Sequence, residues 1–205
     1  LGSIVPDDQV TTTNLTMAGE SSKRRIVIAI LLTSTLLTML GIAGLLRGAF
    51  DLSLAPLPED VRDLYEPDAA VSDAEVQLLE AQVSNPYRRP MGAANVVVSA
   101  LVLIGSFLLS WRRKPAQWWI KQAVAAKLIW ITAYTATLVR HIQTTFVVPP
   151  VESASADLSE IITGVILVSS FSALLHVTAL YRATRPDIRK FIESTGNPGE
   201  PSGRV

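Results

Sequence analysis

Lys127, Trp130, Tyr134, Thr137 and His141 follow one another at steps of three and four residues within WWIKQAVAAKLIWITAYTATLVRH, residues 118–141. On a helix all five share one face. An ammonium, an indole, a phenol, a hydroxyl and an imidazole have the chemistry to line a polar path or to hold an anion. The residues around them are apolar, so the helix that carries them reads as a membrane span. Lipid should not see its polar stripe, and a bundle interior must be built around it.

Lys127 admits two physical pictures. It lies six residues past Lys121, ~9 Å further along a helix that rises ~1.5 Å per residue. Its flexible stem covers much of that distance. The favoured expectation is therefore that the ammonium snorkels back to the edge marked by Trp118 and Trp119. In the other picture it faces an interior site with Trp130, Tyr134 and His176. Six residues separate His176 from Arg182 on another apolar run, which puts His176 at about the depth of Lys127 in antiparallel helices. Two neighbours at that depth cannot both be comfortably charged, so His176 is expected to be neutral and bonded to a carbonyl or a serine.

Several chemistries are excluded. There is no cysteine, hence no disulfide, thiolate metal site or cysteine nucleophile. His141 and His176 belong near opposite surfaces, and the 23 steps from Trp118 to His141 rise ~34 Å. Those two imidazoles cannot share a haem iron within one chain. No carboxylate lies within the expected spans, and no Ser-His-Asp or HExxH arrangement is present. The expectation is a protein that is not an enzyme, with no cofactor, no metal and no nucleic-acid partner.

The elements that position these groups are apolar runs. Of 205 residues 49% are hydrophobic, and nearly all charge lies outside four runs, each about the ~20 residues a spanning helix needs. The spans are 26–46, 93–111, 118–140 and 161–181. The fold class is all-α: a polytopic membrane protein built as a four-transmembrane-helix bundle with a short extracytoplasmic helical loop. Its domain runs over 23–182, between an N-terminus (1–22) expected to be disordered and a tail (183–205) expected to be mostly disordered. The tail carries one short basic amphipathic turn, RPDIRKFI. Leu1 and the later Met17 suggest an alternative start, with MAGESSKRR as the other beginning.

The first span follows Lys23-Arg24-Arg25. It is too long for a signal-peptide core and ends without a small-residue cleavage site, so it reads as a retained anchor. Gly44 and Gly48 form a GxxxG pair that would let another helix approach closely, in a dimer or otherwise. Polar or small residues recur at helical spacing elsewhere: Ser34, Thr38 and Gly41; Asn95, Ser99, Ser106 and Ser110; Ser169, Ser172 and His176. These seams read first as packing surfaces. In the polar segment 48–91, Ser72-Asp73-Ala74-Glu75 is a capping box and predicts a helix over 73–83. Val76, Leu79 and Val83 give that helix one face that wants burial.

Charge sets the orientation. Placing both termini, the 112–117 turn and Lys121 on one side gives that side twelve Lys/Arg and six acids, against five arginines and twelve acids opposite. The basic side should be cytoplasmic, which puts loop 48–91 outside, in a bacterial inner membrane. Both termini inside with a larger first exterior loop resembles the claudin and tetraspanin topologies, but their cysteine-bearing loop motifs cannot exist here, and no family is identified. The leading expectation is a non-catalytic membrane protein acting through protein or lipid contacts, a scaffold or accessory subunit, with loop 48–91 as a candidate partner surface. The alternatives are a small transporter or channel component with a polar path along the third span, and a membrane ligand sensor. A hydrated path separates the second reading from the first. Oligomeric state is not legible in the sequence.

Overall fold

The computed structural model describes residues 8–53, 82–145 and 152–195. Five helices account for most of them: α1 (Asp8–Ser53), α2 (Arg88–Ser110), α3 (Ala116–Thr145), α4 (Glu152–Ala183) and α5 (Pro186–Thr195). No strand occurs among the described residues. The chain is an all-α four-helix bundle in which α1 to α4 are each long and apolar enough to span a membrane.

Every long helix begins before its expected span, and α1, α3 and α4 also run past its end, because a helix once nucleated propagates until something stops it. Prolines mark several of the helix starts. Pro149 and Pro150 precede α4, Pro115 precedes α3, and Pro186 opens α5 in the position where its missing N–H costs nothing. Before α2, Asn85 Oδ1 accepts from the Tyr87 amide at 2.9 Å in an Asx turn. Residues 8–22 are helical and continue α1, and the short basic turn expected in the tail is helix from Pro186 to Thr195. The helix expected over 73–83 lies mostly outside the described residues; residues 82–84 are helical.

α1 and α2 form the most extensive interface, and their buried positions explain why. Those on α1 include Ile30, Ser34, Leu37, Gly41, Gly44, Gly48 and Asp51; those on α2 include Arg88, Gly92, Asn95, Ser99, Val102, Ser106 and Leu109. Both series alternate steps of three and four, the heptad pattern of two helices coiling around each other. Of the second span's expected seam, Ser110 drops out: it is exposed, and Leu109 holds the buried place. The GxxxG pair is spent inside the chain. A Cβ on Gly48 would meet the Gly92 carbonyl at 2.8 Å, and one on Gly92 would meet the Gly48 carbonyl at 3.1 Å. That face is therefore occupied by α2 rather than left open to a second molecule.

α3 packs on α2, α4 on α3, and α4 closes the ring against α1. The turn between α2 and α3 is a Schellman cap: Arg113 N–H donates to the Leu108 carbonyl and Arg112 N–H to that of Leu109, with Arg112 left-handed at φ 54°. The main apolar cluster lies at the end of the bundle that holds this turn. It joins Ile30, Val102, Ile120 and Ala179 to Ile188 and Ile192 of α5. A smaller cluster of Leu138, Ile142 and Ile161 lies towards the other end.

Candidate functional site

Lys127 lies between these two clusters, only 4% exposed. Its ammonium donates to Asn95 Oδ1 and to Ser99 Oγ, the latter at 3.0 Å, and sits over the Trp130 ring, 4.6 Å from the centroid. Asn95 is in turn fixed by its amide, which donates to the Gly44 carbonyl at 3.0 Å. The expectation of snorkelling is thus corrected. Two acceptors on α2 and an aromatic face lie within reach inside the bundle, whereas Val124, Ala123 and Ile120, one and two turns nearer the Trp118 edge, are buried apolar residues. A cation with hydrogen-bond partners and a ring face has no need of the headgroups.

The glycine at 44 is part of the same arrangement. A Cβ there would meet Ser99 Oγ and, at 2.9 Å, the Lys127 ammonium. One layer thus joins α1, α2 and α3 through a backbone carbonyl, an amide, a hydroxyl and an ammonium.

From Trp130 a column of rings leads outward. Trp130 stacks on Tyr134 with centroids 5.1 Å apart, and the Arg47 guanidinium lies 5.2 Å from the Tyr134 centroid. Arg47 Nη2 also donates to the Tyr134 hydroxyl at 2.8 Å, while Trp130 Nε1–H donates to the Met91 carbonyl at 2.9 Å. Two cations therefore flank two stacked rings. The electron-rich faces attract both charges and hold them apart.

The remaining members of the expected stripe do not join this column. Thr137 donates to carbonyls of its own helix, Ala133 and Tyr134, each at 2.9 Å. His141 lies near the end of α3, with Nε2 3.1 Å from Ser84 Oγ. His176, on α4, is 1% exposed and within electrostatic reach of Lys127. Its Nδ1–H donates to the Ser172 carbonyl at 2.7 Å, the kind of backbone partner expected for it, and Nε2 has no hydrogen-bond partner among the described residues. Two of the packing candidates make contacts between helices. Ser106 donates to the Ser34 carbonyl at 2.7 Å and meets Thr38 at 2.7 Å, and Ser169 accepts from Thr135 at 2.7 Å.

Arg47 escaped the sequence reading, which placed it at the end of a span. Its position three residues after Gly44 was the available signal, since that spacing puts it beside the packed face. Asp51, read as part of an exterior loop, is buried one turn further on, with Arg47 and Arg88 as its charged neighbours. A cleft of about 200 Å³ opens beside the ring column, lined by Arg47, Trp130, Tyr134, Val168, Ser169 and Ser172 among others. No group of three His, Asp or Glu side chains that could hold a metal ion occurs among the described residues.

Comparison with known proteins yields no match: no family model, no curated protein and no solved structure is similar to this chain.

Proposed function

We propose that this chain is a non-catalytic integral membrane protein that works by contact, as a scaffold or accessory subunit, with its polar interior serving to hold the helices together. The observation that carries the reading is the commitment of Lys127: its ammonium is shared between Asn95, Ser99 and Trp130 rather than presented to a cavity. The outward surface supports it from the other side. α4 is the span least covered by the rest of the molecule, with 17% of its apolar window buried. It turns Leu167, Val168, Phe171 and Leu174 outward, where lipid or a partner helix would meet them. The charge partition supports both termini on the cytoplasmic side of a bacterial inner membrane.

The test is water access along α3. Single cysteines replacing Val124 and Ile131, which flank Lys127 and are 0% and 6% exposed, should resist a membrane-impermeant thiol reagent in proteoliposomes. Labelling at both positions would reveal a hydrated path and turn the reading to transport. The cleft beside Arg47 and Tyr134 favours a ligand sensor as the second reading. An anionic amphiphile that quenches Trp130 fluorescence, and fails to do so in Arg47→Gln, would support it.

A further inference from the structure

The opposite edge of the bundle carries a second cavity, of about 280 Å³, between the start of α3 and α5. Lys114, Lys121 and Arg189 line it with a single carboxylate, Glu193, beside Gln117 and the indole of Trp118. We propose that this cavity binds the phosphate of an anionic phospholipid. The inference deepens the contact reading above and rests on the chain spanning a membrane.

The cations come from separate elements, the α2–α3 turn, the first turns of α3, and α5, and the fold brings them together. α5 is held down by Ile188 and Ile192, 0% and 3% exposed, so the residues between them are fixed in register. Arg189, its side chain 68% exposed, gives its Nε–H to Glu193 at 2.9 Å. The other edge of the guanidinium makes no hydrogen bond among the described residues, and a planar fork of that kind suits a phosphate's paired oxygens. Gln117 closes the back of the cavity by donating to the Ala183 carbonyl at 3.0 Å.

Two features favour a lipid as the source of the phosphate. Trp111 and Trp118, 69% and 59% exposed, mark this edge as the level where indoles meet headgroups. Basic pockets between helices at that level attract anionic lipids, each Lys or Arg contributing on the order of a fivefold gain in affinity.

The experiment uses the full chain in micelles with equal phosphatidylglycerol and phosphatidylcholine, with retained lipid read by native mass spectrometry. The wild type should retain phosphatidylglycerol preferentially. Lys121→Gln with Arg189→Gln should lower that preference about fivefold for each charge removed, and Glu193→Gln should raise it. Lys190→Gln, an exposed cation on the same helix but outside the cavity, should leave it unchanged. Equal losses in Lys190→Gln and the double variant, or no preference in the wild type, would overturn the site. Displacement by inorganic phosphate would keep the phosphate chemistry but overturn the lipid as its occupant. Thiol labelling at 124 and 131 reads the contact function on other variants, so the two failures are distinguishable.

Discussion

At the scale of single residues, the interior cation decides what the bundle centre can do. Lys127 is the one lysine buried among the described residues, and it satisfies two α2 side chains at once. Lys127→Leu removes a charged donor from both and leaves their acceptors in an apolar layer. Such losses cost about 1–3 kcal/mol. The expected outcome is a lower unfolding midpoint in detergent, where a snorkelling lysine would give no change or a gain. The glycines make a matched pair of tests. Gly48→Ala forces a methyl against the Gly92 carbonyl at 2.8 Å and should destabilise by about 1–3 kcal/mol, the usual range for overpacking. Gly164 would place its Cβ in open space, so Gly164→Ala should be neutral or stabilising by up to about 1 kcal/mol. Thermal unfolding of the two variants side by side checks both.

Among elements, α5 shows how a strained turn can serve a distant helix. A left-handed residue at a helix end is most comfortably glycine, yet position 112 is arginine, and its guanidinium lies 5.3 Å from the Phe191 centroid on α5. Arg112→Gly should relieve the backbone by about 1 kcal/mol while removing that latch. The expected readout is faster hydrogen exchange across 186–195 with the α2–α3 hairpin unchanged. Phe191→Ala should loosen α5 in the same way without relieving the turn.

For the whole molecule, sidedness is the testable consequence of the charge partition. Cysteines introduced at Arg89 and Lys114, both exposed, lie at opposite ends of the α2 helix and its following turn. An impermeant thiol reagent added to intact cells should label position 89 and spare 114. The reverse result would invert the molecule and move the basic cavity to the outer leaflet.

Hydropathy already determined the class of this protein and the order of its helices, because span length is a local property. The heptad seams of α1 and α2 were also legible: Gly44, Gly48, Asn95, Ser99 and Ser106 are singular among apolar neighbours, and small or polar residues in such helices mark where helices meet. Which way Lys127 points was not. Both directions are open to a single helix, and the choice depends on Asn95 and Ser99 standing 32 and 28 residues away at the same level across the α2–α3 hairpin. Arg47, in the ring column, and Arg189, in the basic cavity, likewise read as edge charges until packing sets them beside Tyr134 and Lys121. The sequence by itself determined which residues are polar within the apolar bundle. Only the tertiary structure decided which of them meet, since hydrogen bonds and cation–ring contacts act over a few ångströms and depend on the rotation and register of neighbouring helices.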